Sequence, residues 1–211
     1  MAGTVPVASS LKEIYTPDAL HSQTKRWENL LQAFQSTYGV PVTFVSRSPG
    51  RVNIIGEHID YSLYSVLPMA ITADCLLAVS CFSDSSSADT FRLRLTNVQA
   101  DKFPSRDFEI PNSNVEIESE MHEWTNYFKC GLKGALKFLR KKYGAKFKPR
   151  SMNILMDGSV PPGGGLSSSA AFVSASALAV MIANGEKEVD KLALTELAIV
   201  SERDVGVNSG G

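Results

Sequence analysis

Between Pro161 and Ala171 the chain reads P-P-G-G-G-L-S-S-S-A-A, and no other stretch restricts the choice of backbone so strongly. Such a composition is common in flexible linkers. Its flanks argue for something more defined. Met152 to Met156 is a short apolar run of strand length, and Ala170 to Ala183 has the length and composition of a helix. The cluster therefore reads as a strand-to-helix turn. A turn of that kind gathers unpaired N–H groups and the positive end of a helix dipole around one point, the usual physics of phosphate binding. Glycine lets the main chain approach an anion closely, and serine hydroxyls can donate to phosphate oxygens or ligate Mg²⁺. No Gly-Lys-Ser/Thr follows the glycines, so a Walker loop is excluded and any nucleotide must be held without that lysine.

Composition bounds the possible partners. A chain of 211 residues, 44% hydrophobic and 20% charged, can build one good core and parts of two domains. A net charge of -1 gives no reason to expect nucleic acid or an anionic membrane as partner. Arg140-Lys141-Lys142 with Lys146, Lys148 and Arg150 reads as a solvated helix end and loop. Cys75, Cys81 and Cys130 are widely spaced and have no zinc-site pattern around them. Met1 to Pro17 lacks the apolar core of a secretory signal, and Ala170 to Ala183 is too short to span a bilayer. A reducing, cytoplasmic setting is expected.

Residues 1–17 read as a loose, flexible arm and 18–211 as one domain. Trp27, Leu30, Leu31 and Phe34 fall on one helical face, and Gly39 stands where a C-terminal glycine is expected, which predicts a helix from Asp18 to Tyr38. Strands are predicted at Val42–Ser46 and Arg51–Gly56 around a Ser48-Pro49-Gly50 turn, then at Val66–Ile71, Cys75–Ser80 and Phe91–Leu95. Ser83 to Asp89 reads as a hairpin loop. Further helices are predicted over Trp124–Tyr143 and about Val189–Arg203. Strands followed by helices around one further strand indicate a mixed α+β fold rather than regular βαβ repeats.

A second constellation is R-V-N-I-I-G-E-H-I-D-Y, from Arg51 to Tyr61. Glu57, His58 and Asp60 lie within four residues of one another where a strand gives way to a loop. Three readings stay open on spacing alone: a charged surface loop, a metal site, or an edge that binds a polyhydroxyl ligand. His21 and His122 lack ligand spacing to this cluster. Carboxylates on short side chains suit several hydroxyl donors, and Arg51 at the far end of the strand suits developing negative charge in a phosphoryl transfer.

Taken together, R-S-P-G-R-V-N-I-I-G-E-H-I-D-Y with S-V-L-P-M-A-I resembles the galactokinase signature, and P-P-G-G-G-L-S-S-S-A-A resembles the phosphate-binding motif of the GHMP kinase superfamily. E-W-T-N-Y-F-K-C-G-L-K-G and S-E-R-D-V-G-V-N-S-G-G are similar to segments of the same enzymes. The resemblance covers nearly the whole chain beyond about residue 25. It implies an N-terminal domain of mixed sheet and helices, similar to the second domain of a ribosomal small-subunit protein, without the ferredoxin-like C-terminal domain. It implies transfer of the γ-phosphoryl group of MgATP to the anomeric hydroxyl of galactose, the entry to the Leloir pathway.

By matching motif, the resemblance makes Arg51 the arginine near the transferring phosphoryl group and the sugar anomeric oxygen. Glu57, His58 and Asp60 become sugar-binding residues, and Gly163, Gly164, Gly165, Leu166, Ser167, Ser168 and Ser169 the loop around the ATP phosphates. Ser169 and Glu202 become Mg²⁺ ligands, and Trp124 the aromatic residue near adenine; core packing for Trp124 and a surface helix position for Glu202 are their plain structural alternatives. The family continues past the pair matching Gly210-Gly211 into Met-Asp-Gln, whose aspartate serves the sugar hydroxyl. Truncation ahead of that aspartate is expected to leave this 211-residue chain nearly inactive. An N-acetylgalactosamine kinase, and a non-catalytic galactose- and ATP-binding sensor that engages a transcriptional regulator, remain alternatives.

Overall fold

The computed structural model describes residues 3–56, 59, 62, 64–83, 89–118, 123–144 and 147–205. Among these, β1 (Phe44–Ile55), β2 (Leu67–Phe82), β3 (Thr90–Asn97), β4 (Arg106–Pro111) and β5 (Ser151–Gly158) form one sheet in the order β1-β2-β5-β3-β4. β3 and β5 pair in parallel and the other neighbours are antiparallel. The helices are α1 (Pro17–Tyr38), α2 (Thr125–Tyr143), α3 (Ser168–Ala183) and α4 (Lys191–Glu202). This is the mixed α+β arrangement that the order of predicted elements implied. No helix among the described residues is long and apolar enough to cross a membrane.

Alternation along β2 sorts these elements into layers, because successive strand side chains point to opposite faces. Leu76 and Ala78 pack with Leu30 and Phe34 of α1 and with Leu155. Cys75, Leu77 and Val79 face the other way, into the larger cluster that includes Phe128 and Leu132 of α2 and Phe172 and Val180 of α3. α3 is the innermost helix: from Ala171 to Ala183 all residues but Ser174 and Ile182 are buried. A helix apolar on every side needs neighbours on every side. Here they are α2, α4, β1 and β2.

Two glycines on α2 make that packing possible. A Cβ on Gly131 would lie 2.6 Å from the Val173 carbonyl oxygen and 2.8 Å from the Ala177 nitrogen, both backbone atoms of α3. Gly134 is pressed in the same way against Leu197 and Ser201 of α4. At Gly131 the obstruction is main chain and cannot rotate away. Gly131→Ala is therefore expected to destabilise the fold by about 1–3 kcal/mol, more than the helix propensity of alanine returns. Thermal melts of the variant and the wild type check this.

Several elements depart from the sequence reading. The two strands expected around Pro49 are one strand, β1, whose register against β2 slips between Pro49 and Arg51. The turn residues produce a bulge rather than a break. Val66–Ile71 and Cys75–Ser80 likewise merge into β2. Residues 84–88 of the expected hairpin loop lie outside the described residues, and the flanking strands β2 and β3 are not sheet neighbours, since β5 lies between them. β4 was not anticipated. The segment read as a loose arm is held at both ends: Val5 N–H donates to the Val189 oxygen at 2.8 Å, and Tyr15 is buried with its hydroxyl 2.7 Å from Asp74 Oδ2.

Candidate functional site

β5 runs out of the sheet into the glycine-serine turn, and α3 starts directly after it. Pro161 to Gly165 are exposed, and Leu166 to Ala170 are half-buried. Gly163 and Gly165 have φ of 74° and 67°, a region that costs a side chain but not glycine. Ser167 follows at φ 60°, the single non-glycine residue with positive φ among those described. It occupies the N-cap position of α3 without a side-chain cap bond. The N–H groups of the first turn thus face an open loop at the positive end of a buried helix. That is the strand-turn-helix geometry expected of the stretch.

The second motif lies against this loop. Arg51 N–H donates to the Leu166 carbonyl at 3.0 Å, so the register slip in β1 is filled by the loop. Gly50 permits the approach: a Cβ there would sit 2.8 Å from the Leu166 oxygen and 3.0 Å from Val160 Cγ1. In the sequence Gly50 reads only as part of a turn. Its role depends on a partner 116 residues away (166 minus 50). The Arg51 side chain is half-buried, with Nε and Nη1 shielded from solvent.

β1 is fixed on the near side of Arg51 by a buried ionic cluster that sequence reasoning missed. Asp74 of β2, fully buried, accepts from Arg47 Nε and from Arg26 Nη1 at 2.5 Å each and from the Tyr15 hydroxyl. Arg26 also reaches Asp157 of β5 at 3.0 Å. Burial pushes the Tyr15 phenol above its usual range. One carboxylate thereby joins the N-terminal segment, α1, β1 and β2.

Trp124 stands at the head of α2 with its ring stacked on Phe172 at 6.0 Å and its Nε1–H on the Pro104 oxygen at 3.0 Å. Phe172 is in the first turns of α3, so this indole flanks the helix that carries the loop. Glu202 is buried at 1% exposure, which removes the surface-helix alternative. Val173 of α3 packs in one cluster with Ala198 of α4 and Cys130 of α2. Ser169 is one turn before Val173, and Glu202 is one turn after Ala198. Burial, with the Asp204 and Glu202 charges adding to it, pushes the Cys130 thiol up to about 12. Glu57, His58 and Asp60, and the stretch from 206 to 211, lie outside the described residues.

Comparison with known proteins bears directly on this pairing of motifs. Residues 32–81 match the galactokinase galactose-binding signature, and residues 126–211 match the GHMP kinases N terminal domain. A galactokinase of Candida parapsilosis is 44% identical over 209 residues, which are 99% of this chain and 39% of that relative. A galactokinase of Candida maltosa is 43% identical over 188 residues, covering 89% of this chain and 83% of that relative. The chain belongs to the galactokinase family. Its backbone also superposes on a Lactococcus lactis galactokinase solved in complex with galactose, with a TM-score of 0.68 at 26% identity over 88% of this chain and 44% of that one. The chain spans about two fifths of the length of the first curated relatives it matches. Gly50, Arg51 and Leu166 are one point at which the two matched segments touch.

Proposed function

We propose that this chain supplies the galactose-binding strand and the ATP phosphate loop of an enzyme that moves the γ-phosphoryl group of ATP to the anomeric hydroxyl of galactose, releasing ADP and galactose 1-phosphate. The observation that carries the proposal is the Arg51 N–H bond to the Leu166 carbonyl, with Gly50 closing the gap. It supports a site in which a sugar held beside the signature strand and phosphates held by Gly163 to Ser169 are neighbours. Phosphoryl transfer depends mainly on such positioning and on stabilising charge.

Each group then has a defined task. The N–H groups at the start of α3 and the Ser167, Ser168 and Ser169 hydroxyls hold phosphate oxygens. Arg51 places a fixed positive charge beside the transferring group. Glu57, His58 and Asp60 accept sugar hydroxyls, and Trp124 offers an aromatic face to the adenine. The Ser169 hydroxyl and the Glu202 carboxylate suit Mg²⁺, a hard cation that takes a few protein oxygens and completes its shell with water and phosphate. Among the described residues no group of three or more His, Cys, Asp or Glu is placed to hold a metal by itself. When bound with ATP, the ion neutralises phosphate charge.

Enzyme expressed from the full open reading frame is expected to release ADP in a galactose-dependent manner, with N-acetylgalactosamine a poor substitute. A coupled ADP assay with each sugar tests this. Equal use of both sugars would contradict the assignment.

A further inference from the structure

The glycine-serine loop leaves the sheet through a side chain that the proposed chemistry does not use. The ladder between β2 and β5 ends where Cys75 faces Gly158. Ser159 carries the pairing one residue further. Its N–H donates to the Asp74 carbonyl at 2.9 Å, and its hydroxyl accepts the Asp74 N–H at 3.0 Å and donates back to the Asp74 carbonyl at 3.2 Å. Asp74 is itself fixed, since its carboxylate is held by Arg26, Arg47 and Tyr15. Val160 is buried, and the exposed stretch from Pro161 to Gly165 follows it. At the far end the Leu166 carbonyl accepts the Arg51 N–H. Gly50 lies between the two ends, with room for no side chain against Val160 Cγ1 or the Leu166 oxygen. The exposed glycine arc is thus pinned at its entry to β2 and at its exit to β1. Within the arc, the described residues show one long backbone hydrogen bond, from Gly164 N–H to the Pro161 oxygen at 3.4 Å.

We infer that Ser159 is a positioning residue for the phosphates of ATP: its hydroxyl fixes the entry of the glycine-serine loop on Asp74 and so sets the path of the arc that follows. The inference rests on the proposed use of Gly163 to Ser169 as the phosphate loop. Glycine-rich backbone is conformationally permissive, so an arc with so little bonding of its own keeps its shape through its two ends. A loop already held in its binding conformation loses less freedom when the ligand arrives, and that difference appears as affinity. Without the hydroxyl, the Asp74 N–H loses its Ser159 partner and the entry keeps only the Ser159 N–H bond. The Arg51 bond to Leu166 and the register of β1 on β2 do not involve this hydroxyl. The effect is therefore expected on the nucleotide and not on the sugar.

The test compares Ser159→Ala and Ser159→Thr with wild type, all expressed from the full open reading frame. Ser159→Thr keeps the hydroxyl, and the exposed position leaves space for its methyl group. In Ser159→Ala the ATP KM is expected to rise about three- to tenfold, the range that the loss of one ordinary hydrogen bond gives. The galactose KM is expected to stay within about twofold of wild type, and Ser159→Thr to restore most of the ATP KM. A rise in ATP KM below about threefold in Ser159→Ala overturns the inference. So does an equal rise in both KM values, or a threonine variant no better than alanine, since a merely structural serine acts on both substrates alike and is indifferent to which side chain carries the hydroxyl. Ser159 is exposed, so the alanine variant is expected to fold; failure to fold would make Ser159 a stability residue and also overturns the positioning role. Wild-type enzyme that releases no ADP in response to galactose defeats the functional reading and the inference with it, a distinct result from wild-type turnover with an indifferent alanine variant, which defeats the inference alone.

Discussion

Asp74→Ala is expected to cost about 3–5 kcal/mol of folding stability, which for a chain of this size lowers the melting temperature by roughly 6–20 °C. Asp74 is fully buried and accepts from Arg26, Arg47 and Tyr15 at once. Removing it leaves two guanidinium groups, only 15% and 23% exposed, without their shared counter-charge. Exposed pairs such as Arg92 with Asp107 stay solvated when broken and contribute at most about 1 kcal/mol. Asp74→Asn keeps the volume and one acceptor, so it is expected to fall between alanine and wild type. Thermal or urea unfolding of the three proteins gives the order. Asp74→Ala melting within about 2 °C of wild type would show that the cluster is not a stabilising centre.

The second large effect is on rate. Arg51→Ala is expected to lower kcat by about a hundredfold or more, the usual loss when one fixed charge or donor is taken from a site of developing negative charge. Melting temperature is expected to change far less than in Asp74→Ala. Arg51→Lys is expected to recover only part of the loss, because a point charge on a flexible stem does not replace a planar fork. Steady-state kinetics at saturating ATP and sugar measure both variants. Arg51→Ala with kcat within about threefold of wild type would remove Arg51 from the reacting region.

Local signals were legible and distant ones were not. Gly39 at the end of α1 is found with φ 70°, as a C-terminal glycine should be, and the helical face of Leu30 and Phe34 is buried as its spacing required. The strand-turn-helix geometry at Gly163 to Ser169 is legible for the same reason, since its glycines, its serines and the helix after it are contiguous. Ser48-Pro49-Gly50 reads as a turn in sequence, and the structure absorbs it as a bulge within β1; β2 runs unbroken through Asp74, which the buried ionic cluster holds. Nothing near Asp74 in sequence reveals Arg26 or Arg47. β4 escaped notice because R-D-F-E-I-P is a short edge strand with charged residues facing out and only Ile110 fully inside. At the site, each motif could be read alone, whereas their contact through Gly50 and Leu166 is a property of the fold. Glu202 could be placed on a helix from its pattern, but its burial depends on α4 folding back over α2 and α3.

On the proposed function, the signature strand and the glycine-serine loop form one site for phosphoryl transfer to the anomeric position. It is tested most directly by incubating enzyme from the full open reading frame with ATP and galactose and locating the new phosphate on the product by phosphorus and proton NMR. The expected products are stoichiometric ADP and a single sugar phosphate, esterified at the anomeric carbon with α configuration. Phosphate at any other hydroxyl, or ADP formed at the same rate without sugar, would contradict it.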